Sequence, residues 1–206
     1  AVSVVDEEAA WLDSFGAEEQ PWDGLWSVLT FSIPESQRAR RHLARSRLRW
    51  LGFRPLYDGV WISPRNAAAE AMAQLRELEV EAVTSMRASL VTSIPGGPQS
   101  AWDLTSVAEE YRSFARIVAE VDPGGPPSVV FAGRTRLMLR WQAFRLQDTA
   151  IPRELVPDDW PRVPVRAAWA QRYNALGAPA EERMRALIAP ISARLAESVT
   201  ARRLPV

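Results

Sequence analysis

The chain has no cysteine and no lysine, a single histidine, and no net charge, since 25 acidic residues balance 25 basic ones and every basic residue is an arginine. Without cysteine there can be no disulfide framework, thiolate metal site or cysteine nucleophile. One histidine, His42, cannot supply a cluster of imidazole ligands. It lies in a run of arginines and reads as a surface residue. No metal site and no catalytic constellation is read from the sequence, and the protein is not expected to be an enzyme. The balanced charge argues against a strongly positive surface field for nucleic acid, although a local basic patch remains open. No apolar run approaches the roughly 18 residues of a membrane span, and no signal segment opens the chain, so the sequence reads as soluble and cytoplasmic.

What is present is enough to build a core. With 206 residues, 47% of them apolar, one large domain or two small ones can fold. Nine tryptophans and sixteen prolines are both high for this length, and the prolines punctuate. Residues 1–20 are acidic and mixed and read as a short helix and a linker, the remnant of a preceding domain. The chain opens on Ala1 without methionine, as a fragment would.

From Leu25 to Ile33 the sequence is almost continuously apolar or β-branched, as a central strand requires. Ser32 and Glu35 have capping-box spacing around Pro34, which predicts a helix from Glu35 to Leu51 that stops at Gly52. Phe53–Tyr57 and Val60–Ser63 flank Asp58-Gly59, the signal for a type I′ hairpin, and Pro55 restricts the first arm to a sheet edge. Asn66 is expected to cap a second helix ending near Glu81, and Met86–Ile94 reads as a fourth strand. Strand, helix, strand, strand, helix, strand is the ferredoxin-like plan. After Pro98 the periodicity is helical. Helices are expected at about 104–118, 129–144 and 165–176, and from Ala180 onward, with a kink at Pro190 and a stripe of Met184, Leu187, Ile188, Ile191 and Leu195. The fold class is therefore α+β, a ferredoxin-like βαββαβ domain at 21–98 followed by an all-helical domain at 99–206.

Two features could carry binding. The helix from Glu35 to Leu51 holds Arg38, Arg41, Arg45 and Arg49 as an outer stripe, while Arg40 and Arg47 fall inside the apolar arc of Leu43, Ala44, Leu48, Trp50 and Leu51. An inward guanidinium needs a partner: a carboxylate such as Asp23 or Asp103, or an anionic ligand such as the phosphates of a thioester cofactor. The tryptophans, Trp22, Trp26 and Trp61 among them, read either as ordinary packing or as the lining of an aromatic effector pocket. The adjacent pairs Glu7-Glu8 and Asp158-Asp159 point apart on most backbones and suggest no shared proton or metal. The Gly-Gly pairs at 96–97 and 124–125 are turns, without phosphate-loop spacing.

Trp22-Asp23-Gly24-Leu25-Trp26, FSIPE at 31–35, LGF at 51–53 and GVWISP at 59–64 resemble the central part of the PaaX family of transcriptional repressors. Trp102-Asp103-Leu104 followed by Tyr111 and Phe114, and IPRELVPDDWP at 151–161, extend the resemblance over about 140 residues. The resemblance implies an amino-terminal winged helix that binds operator DNA, a ferredoxin-like middle domain, and a helical part that takes part in dimerisation and in sensing an aryl-CoA thioester. In the best known member phenylacetyl-CoA releases the repressor of phenylacetic acid catabolism from DNA. Residues 1–20 match only the stub that would join a winged helix, so the expected role is the effector-sensing, dimerising portion of a longer repressor. Arg40, Arg47, Trp22, Trp26, Trp61 and Asp103 are its candidate effector contacts. The family's middle domain is similar to small CRISPR adaptation nucleases, but Ser32 stands where such a nuclease needs an acid. The alternative reading is a metal-dependent nuclease or a CoA-thioester hydrolase on the same scaffold. Leu139-Arg140-Trp141-Gln142 departs from the family's His, acid, aromatic and Arg run, which leaves the identity of the effector open.

Overall fold

The computed structural model describes residues 10–17, 19 and 21–206. They fall into two compact units: Gln20–Leu104 with Leu146–Pro157, and residues up to Glu19 with Thr105–Arg145 and Asp158–Val206. The proline-rich stretch at 146–157 thus belongs with the sheet, although the helical segments flank it in sequence. Of the short helix and linker expected at 1–20, residues 10–14 are helical, and positions 1–9, 18 and 20 lie outside the described residues.

In the sheet unit the elements run β1 (Trp26–Phe31), α1 (Arg38–Trp50), β2 (Arg54–Tyr57), β3 (Val60–Ser63), α2 (Ala68–Glu77) and β4 (Val83–Ala88). The sheet has the order β2-β3-β1-β4 with every pairing antiparallel, which is the ferredoxin-like arrangement. The apolar β1 sits centrally, and β2 lies at the edge, where a proline such as Pro55 is tolerated. Leu29 and Trp61 face each other across β1 and β3 and share a core with Ala44 and Leu48 of α1 and Ala71 and Leu75 of α2. Trp26 and Val28 alternate to the other face, as the two-residue period of a strand dictates.

Several local expectations are corrected. The fourth strand is Val83–Ala88 rather than Met86–Ile94, because all six residues of β1 already find partners there, from Phe31↔Val83 to Trp26↔Ala88. Helix α2 stops at Glu77, not near Glu81. Glu79 takes a left-handed φ of 54°, and the Val80 and Glu79 amides donate to Leu75 and Arg76, closing a Schellman turn without glycine. Gly52 closes α1 in the same way, with φ of 87° and the Phe53 amide donating to Leu48. Neither Ser32 nor Asn66 caps a helix: a 3₁₀ turn starts after Pro34, and α2 starts after Ala67 with no side-chain cap. The hairpin is not type I′. Only Gly59 has positive φ, and a register shift between Pro55 and Tyr57 supplies a bulge instead.

The helical unit holds α3 (Leu104–Glu120), α4 (Pro127–Gln147), α5 (Arg162–Ala175), α6 (Gly177–Ile188) and α7 (Ala193–Ser198), with the ends of α3 and α4 crossing into the other unit. Its core is aromatic: Tyr111 stacks on Phe144 at 4.1 Å and Trp141 on Trp169 at 4.5 Å. Gly133 of α4 passes so close to Val121 that an added Cβ would lie 2.8 Å from its Cγ1. Pro190 ends α6 instead of kinking it, and Ser192 caps α7 by accepting from the Leu195 amide. The expected α6–α7 stripe is not core, since Leu187, Ile191 and Leu195 are 45%, 84% and 54% exposed.

Candidate functional site

Helix α1 brings four of its six arginines to carboxylates. Arg40 meets Glu79 at 2.6 Å and also donates to Gln37 and to the Glu79 carbonyl. Arg47 meets Glu77 at 2.9 Å and Gln74 Oε1 at 2.9 Å. Both guanidiniums are therefore tied to α2 and the turn after it, and Arg47 also borders a space of about 360 Å³ between α1 and α2. Their partners are also not the two named from sequence. Asp23 pairs with Arg87, and the Leu25 amide, ahead of the Arg87 guanidinium, holds its carboxyl below the usual range. Asp103 is exposed immediately before α3. On the outer stripe Arg41 pairs with Glu35 and Arg45 with Asp58. The apolar arc is narrower than expected: Leu43 and Trp50 are exposed, leaving Ala44, Leu48 and Leu51 as its buried members.

The candidate tryptophans divide between the two faces of the sheet. Trp61 lies on the helix-covered face, stacked on Phe31, with the Arg49 guanidinium 5.6 Å from its ring centroid. Trp22 and Trp26 form an edge-to-face pair at 5.4 Å, and Trp26 packs against Trp102 at 5.9 Å. Trp102, expected in the helical half, donates its indole N–H to the Thr149 hydroxyl within the sheet unit. These rings pack the sheet rather than line one pocket with Arg40 and Arg47.

Sequence reasoning missed a crevice in the helical unit. Helices α4 and α5 leave a space of about 160 Å³ bounded by Phe131, Arg134, Thr135, Met138, Leu139 and Tyr173. Arg134 is half-buried there, its guanidinium 3.8 Å from the Tyr173 ring centroid. Nε donates to the Tyr173 carbonyl at 3.2 Å and Nη2 to the Arg202 carbonyl at 2.6 Å. Burial lowers the pKa of Arg134 and raises that of the Tyr173 hydroxyl, while the neighbouring guanidinium counters the latter. Phe131, Thr135 and Leu139 continue onto the outer face of α4, a shallow apolar groove of about 500 Å³ that carries Arg136 and Arg140. The only sequence signal was the departure at 139–142. An arginine in a helix otherwise resembles any solvated charge.

Among the described residues no group of three or more His, Cys, Asp or Glu side chains is placed to hold a metal ion, and no helix is long and apolar enough to cross a membrane. Ser32 follows β1 directly, with its side chain exposed.

Comparison with known proteins places this architecture. No curated protein matches the chain. Among solved structures, the uncharacterized protein Rv0674 from Mycobacterium tuberculosis is similar in fold, with a TM-score of 0.63 at 20% identity, over 88% of this chain and 72% of that one. The model of the PaaX protein central Cas2-like domain matches residues 19–100, and that of the PaaX-like protein C-terminal domain matches residues 102–186. Two family models, matched in order across the sheet unit and the helices that follow, make this chain a member of the PaaX family.

Proposed function

We propose that the chain is the effector-sensing and dimerising portion of a PaaX-like transcriptional repressor that works in the cytoplasm without catalysing a reaction. Its effector is an aryl-CoA thioester such as phenylacetyl-CoA, and it reaches operator DNA through a winged-helix domain outside the matched residues. The observation that carries this reading is the consecutive match of the central and C-terminal PaaX domains over residues 19–186. Such a repressor is switched only by differential affinity: the effector must bind the DNA-free arrangement more tightly than the DNA-bound one. Arg40 and Arg47 are not assigned to its anionic moiety, because Glu79 and Glu77 already hold them.

The test is thermal unfolding of the chain with phenylacetyl-CoA, other acyl-CoA thioesters and CoA alone. A rise in Tm that depends on the acyl group, at concentrations well above Kd, supports the reading. No shift with any thioester sinks it. Sedimentation velocity over a range of concentrations checks the dimer, which should persist in the micromolar range.

A further inference from the structure

Arg134 is a cation that folding has partly dried without giving it a direct ion pair, although the Glu181 carboxylate favours its charge. Among the described residues no carboxylate forms an ion pair with it, and its hydrogen bonds go to two backbone carbonyls, those of Tyr173 and Arg202. Its Nη1 donates to no group among them. The guanidinium lies over the Tyr173 ring, which screens one side from water, and it borders a crevice whose other walls are Phe131, Met138 and Leu139. Thr135 adds no free donor to the wall, since its hydroxyl donates back to the Phe131 carbonyl. Desolvation outweighs the support that Glu181 and Tyr173 give the charge, so an anion delivered to Nη1 would relieve part of a cost the fold carries. Helix α4 contributes no acid to oppose one, having four arginines and no Asp or Glu from Pro127 to Gln147.

The size of the space defines the rest of the ligand. About 160 Å³ is close to the volume of cavities that accept a single benzene ring. Apolar walls with one cation at the rim fit a compact hydrocarbon body with one carboxylate. From this geometry we infer that the α4–α5 crevice is a binding site for a small apolar monocarboxylate, whose carboxylate pairs with Arg134 and whose body packs against Phe131, Met138 and Leu139. The inferred ligand is a free acid rather than a thioester.

Calorimetric titration of the whole chain with benzoate and hexanoate, and with benzyl alcohol and hexanol as neutral counterparts, tests it. The acids should bind with Kd of about 1 mM or tighter, as expected for ligands of so few atoms, and the alcohols at least about tenfold more weakly. Arg134→Gln should weaken the acids about tenfold or more and leave the alcohols unchanged. Because Arg134 also holds two carbonyls, a second variant guards against loss of fold. Leu139→Trp, at a position 62% exposed, should fill the crevice and abolish acid binding with an unchanged melting curve. Absence of acid binding at about 10 mM, equal binding of acid and alcohol, or full binding by Leu139→Trp would each overturn the inference. So would acid binding by a folded Arg134→Gln that matches the parent.

Discussion

Two helix ends in the sheet unit solve one geometric problem with different residues. Gly52 and Glu79 both occupy the left-handed position that closes a Schellman turn, but only Gly52 avoids the clash of Cβ with the following carbonyl, which costs roughly 1–2 kcal/mol. At Gly52 a Cβ would also meet the Thr149 Cβ at 3.2 Å, so Gly52→Ala is expected to cost about 2 kcal/mol or more in urea unfolding. At Glu79 the side chain serves Arg40, so the informative comparison is between two variants that both lack it. Glu79→Gly should be more stable than Glu79→Ala by about 1 kcal/mol. Equal midpoints would mean that the turn is not left-handed in solution. Gly52 was legible in the sequence as a stop, since glycine there has one evident use. Glu79 was not, because nothing in a glutamate announces positive φ. The partners of Arg40 and Arg47 stayed hidden for a related reason: they lie 39 and 30 residues away, and only the packing of α1 beside α2 brings them near.

At the scale of elements, the irregular segment from Val199 to Val206 acts as a strap along the helical unit. Its carbonyls receive the guanidiniums of Arg185, Arg134 and Arg166, and Asn174 holds Leu204 by both its amide and its carbonyl. One side chain, Leu204, is buried beneath it. Arg166, only 2% exposed, also reaches the carbonyls of Leu12 and Asp13, so it ties the strap to the helical turn at 10–14 alongside the Arg202–Asp13 ion pair. Arg166→Ala should therefore cost about 2–4 kcal/mol, through orphaned carbonyls and a cavity. It should also raise hydrogen exchange together at 199–206 and 10–17; protection lost at only one of the two would contradict the shared anchor. Strand identity and order were readable because β-branched runs, Pro55 and the glycines are local signals. The limits of β4 were not, because they are set by the length of β1. The strap was invisible, since its bonds use backbone carbonyls that every sequence has. The same holds for the crevice, whose cation is fixed by Tyr173 and the carbonyl of Arg202.

Across the whole molecule, neither unit is a continuous stretch of chain. The boundaries fall at 19/20, 104/105, 145/146 and 157/158, so the polypeptide passes between the units four times. A fragment ending at residue 104 would keep every strand yet lose Thr149, the acceptor for Trp102, and Ile151, which is fully buried. Such a fragment, 20–104, should bind the dye ANS and unfold with weak cooperativity. Joining 146–157 to it through a flexible linker should restore a sharp transition. A fully cooperative 20–104 would show that the second stretch is dispensable.

The pairing of Asp13 with Arg202 spans 189 residues, and this separation has a meaning for a chain made from one end. During synthesis the helical turn at 10–14 must wait, without its ion pair or the strap, until residues 199–206 have left the ribosome. The sheet unit can be complete once residue 157 is free, so the order of closure is sheet first and helical unit last, the reverse of the order in which their first residues appear.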